Sequence, residues 1–297
     1  MKHNLKITII LLSMFLVTQF IGLFVIHFYS GAPIPFGLGS ADSNIDSGSA
    51  FISILVAFTI AILLMMVLIR FKTKFVMRTW FFVVVMIALG VSFNAILSSI
   101  TPGFKYMPFV ALLFALPLAL SKIYTPNMIS HNLSELFIYP GIAVIFIPML
   151  NVLYLMIFLV LISLYDAWAV WKSGIMQKMA KYQMEKVKVF GGFLLPYLSK
   201  RQRKQVKVLK KKNPQLLKKK KFKVTLAILG GGDIVFPIIS AGVMFKFFGV
   251  WAAVITILGA ALGLGFLLFY GKKKAYPAMP FISTGIFLAI GLIYLIF

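Results

Sequence analysis

The chain has 297 residues, is 61% hydrophobic and 12% charged, contains no cysteine, and has a mean hydropathy of +1.01. Apolar stretches of about 20 residues, long enough to cross roughly 30 Å of hydrocarbon, recur along it and mark a polytopic membrane protein. Disulfides, thiolate zinc sites and a cysteine nucleophile are excluded, and the net charge of +24 sits in loops beside apolar runs rather than on a nucleic-acid-binding face.

The runs are continuous rather than alternating, so they read as helices in an all-α fold. Nine spans are predicted, at about 7–29, 50–69, 80–100, 106–121, 133–150, 151–171, 224–245, 249–270 and 278–297. The first follows Lys2 and Lys6 like a signal peptide. Its apolar run is too long for one and no A-x-A site follows, so it reads as a membrane helix. The outer loop 30–49 is rich in Gly, Ser and Pro and reads as flexible. The fifth and sixth spans abut near Pro148 and Asn151 in a tight turn.

Placing the N-terminus in the cytoplasm puts Arg70, Lys72, Lys74, Arg78, Lys122, the 172–223 loop and Lys272 to Lys274 inside, and only Lys105 and Lys246 outside. The C-terminus is then outside. The 172–223 loop holds 18 of the 30 basic residues. It separates a six-helix part, 1–171, from a three-helix part, 224–297. Within it, Ile175 to Phe190 can form a basic surface helix, and LKKKNPQLLKKKKFK reads as unstructured and drawn to anionic head groups rather than to nucleic acid. GGFLLPYL, residues 191–198, is too short to span. It either docks in a groove of the bundle or lies in the interface, and the interfacial reading is the plainer one.

The chemistry lies in two aspartates inside apolar runs. The chain has six acidic residues; Asp166 lies in LVLISLYDAWAVW and Asp233 in LAILGGGDIVFPIIS. An ionisable group in hydrocarbon costs several kcal/mol and usually faces a wet, working interior. Asp166 is about five residues before the inner end of its span, and Asp233 about nine past the inner start of its own. At 1.5 Å per residue both lie roughly 7–14 Å from the cytoplasmic boundary. Two carboxylates that meet there share one proton, so one can activate water while the other polarises a peptide carbonyl.

Gly230, Gly231 and Gly232 are poor helix formers that permit close approach or local unwinding beside Asp233. Pro277 and Pro280, in KKKAYPAMPFIS, cannot both sit in a regular helix interior. They leave an extended segment with unpaired backbone groups that can take an unwound substrate as an added strand. Glu135 reads as interfacial, and His3, His27 and His131 are scattered, with no HExxH motif. Gly259 and Gly263 form a GxxxG packing motif. A transporter or channel using the same aspartates for protons or cations is the rival reading; no internal repeat supports it.

These motifs resemble those of the presenilin and signal peptide peptidase family of intramembrane aspartic proteases, most closely its archaeal presenilin homologues. Tyr165-Asp166 matches YD, Gly230-Gly231-Gly232-Asp233 matches GxGD, and Pro277-Ala278-Met279, followed by Pro280, stands where the family has PAL. The resemblance spans nearly the whole chain and agrees with the presenilin orientation, while DIVFP after GxGD looks more like the other branch. It implies that Asp166 and Asp233 are the catalytic pair, with Tyr165, Gly230, Gly232 and the segment Pro277, Ala278, Met279 and Pro280 shaping the site and binding substrate. It also implies transmembrane segments as substrates, a multi-pass protein in a prokaryotic plasma membrane, and no metal or organic cofactor. In presenilins part of the loop between the sixth and seventh spans can cover the site, a role GGFLLPYL would play here.

Overall fold

The computed structural model describes residues 5–38, 47–71, 74–125, 127–172, 182–183, 189–197, 225–271 and 276–296. The basic tract at 209–223, most of the predicted surface helix at 175–190, and 39–46 of the first outer loop lie outside these. Among the described residues the chain forms α1 (Leu5–Ser30), α2 (Ser47–Phe71), α3 (Lys74–Ile100), α4 (Met107–Ile123), α5 (Met128–Phe146) and α6 (Val152–Trp171). Two strands follow, β1 (Gly192–Tyr197) and β2 (Thr225–Gly230), and then α7 (Gly232–Phe248), α8 (Val250–Tyr270) and α9 (Met279–Ile296).

Six of these helices are long and apolar enough to cross a membrane. Their large exposed side chains, such as Leu113, Leu262 and Leu288, suit a surface that faces hydrocarbon. The tight turn between the fifth and sixth spans is a 3-10 turn, Ile147–Met149. Asn151 then caps α6, its side chain accepting the Tyr154 N–H at 2.8 Å.

The all-α expectation needs correction at the seventh span. Its first residues are not helical: Thr225–Gly230 pairs antiparallel with Gly192–Tyr197, in the register Gly192↔Gly230 to Tyr197↔Thr225. The helix starts only at Gly232. Three successive glycines remove about 1 kcal/mol each of helix propensity against alanine, and the ladder to β1 supplies the hydrogen bonds a helix would have made. Within the segment 191–198, the described residues dock against the bundle, the other of the two readings. Most of it is a paired strand, with Phe193 fully buried in the core beside Ala227 and Leu229.

α1 runs through the middle of the bundle and packs on α3, α5, α7 and α8, so the parts before and after the basic loop share one core. The predicted GxxxG face is the seam between α8 and α9. A Cβ on Gly259 would collide with the Gly285 carbonyl, and one on Gly263 with the Phe281 carbonyl. A large side chain must push α9 away, and overpacking of this kind costs about 1–3 kcal/mol. Gly259→Leu is expected to lower unfolding stability by that amount in a detergent denaturation series. Unchanged stability would refute the close-packed seam.

Candidate active site

Asp166 projects from the last two turns of α6, 7% exposed. Its Oδ2 accepts the Met279 N–H at 3.0 Å, and the Ala278 backbone also bonds to this carboxylate. These groups open α9. The first N–H groups of a helix have no partner inside it, so Asp166 caps α9 from a different helix. The Ala278 carbonyl in turn accepts from Phe281 N and Ile282 N, both at 3.1 Å. Pro280 lies in the first turn, where a missing N–H costs nothing, and Pro277 precedes the helix. The segment is thus not left with its donors unpaired, as the two prolines had implied: those of Ala278 and Met279 are spent on the aspartate.

One turn before Asp166, Ser163 donates to Ser283 of α9 at 2.9 Å, a second tie between the two helices that the sequence pattern did not reveal. Met279, the residue that stands where the PAL pattern has Leu, is buried in the main core at 3% exposure. Pro277 and Ala278 are also buried. Tyr165 does not join them. It is 43% exposed and leans against Trp168, because successive helical residues point about 100° apart.

Asp233 is the second residue of α7 and is 8% exposed, rather than nine residues into a helix. The glycines before it form the joint between strand and helix. Gly230 closes the ladder opposite Gly192. The Gly231 N–H donates to the Gly191 carbonyl at 3.2 Å, and the Gly231 carbonyl accepts from Ile234 N and Val235 N. A Cβ at Gly231 would stand 2.8 Å from the Tyr139 hydroxyl, so this position needs glycine for close approach. Gly232 is exposed at the start of the helix.

Pro237, four residues after Asp233, has no N–H for the Asp233 carbonyl. The wholly buried Gln19 of α1 donates to the next carbonyl, that of Ile234, at 3.1 Å and steadies this weakened turn. The two acids stand on helices in direct contact, α6 and α7, each of which also packs on α9. Phe158 of α6 and Phe236 of α7 meet edge to face at 5.6 Å.

A second polar group lies beside the glycine joint. Glu135 is buried at 1% and ion-paired to Lys122, which is buried at 3%; it is neither interfacial nor isolated. A long side chain at the end of α4 reaches it across the helix pair, which is why neither residue's position in the sequence gave the pair away. Lys122 also donates to His131 Nδ1 at 3.2 Å, and His131 Nε2 donates to the Gly192 carbonyl at 2.8 Å. That pattern assigns the ring hydrogen to Nε2. The i, i+4 spacing of His131 and Glu135 was the available sign. Tyr139, one turn further along α5, has a buried hydroxyl directed toward Glu135 and within electrostatic reach of both Glu135 and Asp233. Among the described residues no three His, Asp or Glu side chains converge as metal ligands would.

The family model described as signal-peptide peptidase, presenilin aspartyl protease matches residues 12–297. A solved structure of a presenilin family intramembrane aspartate protease, in a C222 crystal form, superposes with a TM-score of 0.61 at 19% identity, over 98% of this chain and 99% of that one. The same description in a P2 crystal form gives a TM-score of 0.57 at 17% identity, over 97% of each chain. No curated protein matches the sequence.

Proposed function

The chain belongs to the signal-peptide peptidase and presenilin aspartyl protease family, and from that premise we propose that Asp166 and Asp233 are its catalytic pair and cut peptide bonds within transmembrane segments. The observation that carries this reading is two buried acids on helices in direct contact, each with its own support. Asp166 is held by the Met279 N–H at the start of α9, and Asp233 sits at the glycine joint where β2 becomes α7. One carboxylate takes a proton from water as the oxygen attacks the carbonyl carbon. The other gives its proton to the carbonyl oxygen, and the resulting gem-diol collapses with protonation of the leaving amine.

A helical substrate hides its amides, so it must be opened before attack. The sheet supports a place for the opened chain. Asn132 binds the N–H and C=O of Leu194 on the side of β1 away from β2. The backbone groups of residues alternate sides along a strand, and Leu194 faces Ile228 across the ladder. The outward edge of β2 is therefore formed by Leu226, Ile228 and Gly230. Leu226 and Ile228 are 39% and 40% exposed, and among the described residues no backbone bond from another element reaches them. An extended substrate added there runs toward Asp233, because β2 leads directly into α7.

The charge distribution supports a cytoplasmic N-terminus, an outer C-terminus and a 172–223 loop that lies against anionic head groups. The apolar runs support nine spans, and the family resemblance a prokaryotic plasma membrane. Purified protein incubated in detergent with a single-span substrate, with products identified by mass spectrometry, tests the activity. Ile228→Pro tests the docking edge. It removes the outward N–H and leaves both aspartates in place. Cleavage is expected to fall by about tenfold or more, the loss of one or two well-formed hydrogen bonds. Wild-type cleavage in this variant would move substrate binding elsewhere.

A further inference from the structure

β1 has no free edge, because α5 occupies the one that β2 leaves open. Asn132 Nδ2 donates to the Leu194 carbonyl at 2.9 Å, and the Leu194 N–H donates to Asn132 Oδ1 at 3.0 Å. A side-chain amide thus makes both bonds that a neighbouring strand would make. One residue back, His131 Nε2 donates to the Gly192 carbonyl, and Lys122 reaches the Phe190 carbonyl at 3.5 Å. The Lys122–Glu135 ion pair lies behind them, buried. These contacts fall at Phe190, Gly192 and Leu194, the side of β1 opposite the ladder.

A two-stranded sheet is marginal by itself. Here its second strand continues directly into Gly231, Gly232 and Asp233. A one-residue slip of β1 against β2 would turn the side chains of the slipped strand to the other face. It would also displace the Gly191–Gly231 bond that joins the strand pair to the glycine joint.

We propose that Asn132 is a positioning residue for substrate cleavage, with His131, Lys122 and Glu135 as its support. It substitutes for a third strand on β1 and so keeps the outward edge of β2 rigid and in register for an incoming substrate segment. The proposal rests on the reading of β2 as the docking edge. Asn132 spends both ends of its amide on Leu194, so it acts on substrate engagement rather than on bond breaking.

The test compares wild type, Asn132→Leu, Asn132→Ser and Asn132→Asp. Leucine keeps the size without polar atoms, serine is too short to reach both groups, and aspartate keeps the acceptor for the Leu194 N–H while losing the donor. A doubly labelled single-span peptide is the substrate, and KM is expressed as mole fraction in the detergent. KM is expected to rise about tenfold for leucine and serine and less for aspartate, with kcat within about twofold of wild type. Amide hydrogen exchange of the 189–197 peptide should quicken in the same order, while exchange in α6 and α8 stays as in wild type. Two variants of different character keep a folding defect in one from deciding the matter.

Unchanged KM with unchanged exchange at 189–197 overturns the proposal. So does a fall in kcat at constant KM, which would place Asn132 in the chemistry. The exchange measurement does not depend on activity. Faster exchange at 189–197 with no change in KM would keep the contact but reject its role in docking. Cleavage that survives loss of either aspartate would reject the catalytic reading independently.

Discussion

Cleavage of a single-span substrate is expected to disappear in Asp166→Ala and in Asp233→Ala, with the fold retained in both. General acid–base groups contribute about 10²–10⁴-fold each, and in a pair that shares one proton the loss of either removes both roles, so residual product should fall below detection. The two aspartates differ in what else they do. Asp166 caps α9 through the Met279 N–H, and loss of a helix cap costs about 1 kcal/mol. Asp166→Ala should therefore lose both activity and about that much stability. Asp166→Asn keeps an acceptor oxygen for the Met279 N–H and should lose activity alone. Mass spectrometry of products, read beside detergent denaturation, separates the two effects. Aspartate-independent cleavage in either alanine variant would sink the pair as the catalytic unit. Equal stability of the alanine and asparagine variants would sink the cap.

Glu135→Ala is expected to destabilise the protein by about 3–5 kcal/mol, the cost of leaving a buried charge without its partner. Lys122 is 3% exposed and Glu135 1%. Neither can turn to solvent without unpacking α4 from α5. Removing both charges is a different matter. The double variant Lys122→Met with Glu135→Leu replaces an ion pair by apolar groups of similar size, and such exchanges are often neutral or stabilising. Its stability should return to within about 1 kcal/mol of wild type. Unfolding of wild type, Lys122→Met, Glu135→Leu and the double variant forms a double-mutant cycle, and additive losses would show that the two residues do not act as a pair. Because Lys122 also reaches the Phe190 carbonyl and His131, the double variant should still show faster exchange at β1.

Much of this was legible in the residues. Asp166 and Asp233 stand out because six acidic side chains in 297 residues leave few reasons for two of them to sit in apolar runs. YD, GGGD and PAMP named the elements that meet at the site. Gly259 and Gly263 marked a packing face, and the structure shows Gly285 and Phe281 as what they pack on.

Other features were hidden for specific reasons. TLAILG looks like the start of an apolar span, and its strand form depends on GFLLPY, more than 25 residues earlier, being available to pair with it. Tyr165 belongs to a motif, yet the helix turns it away from the aspartate next to it. Lys122 reads as one more basic residue at an inner helix end, and Glu135 as an acid at another. Only the packing of α4 on α5 makes them partners and removes them from solvent.

Composition, the lengths of the apolar runs and the spacing of acids, glycines and prolines determined the class of the protein, its membrane setting and its candidate catalytic residues. Each of those follows from a cost a single residue or a short segment bears wherever it is placed: an ionised group in hydrocarbon, an unpaired amide, a glycine in a helix. The tertiary structure decided the rest: the helix start at Gly232, the strand pair, the capping of α9 by Asp166, and the anchoring of β1 by Asn132. Each of these joins backbone groups to partners distant in the chain. The free energy of such a contact depends on which surfaces the fold brings together, and no local pattern carries that information.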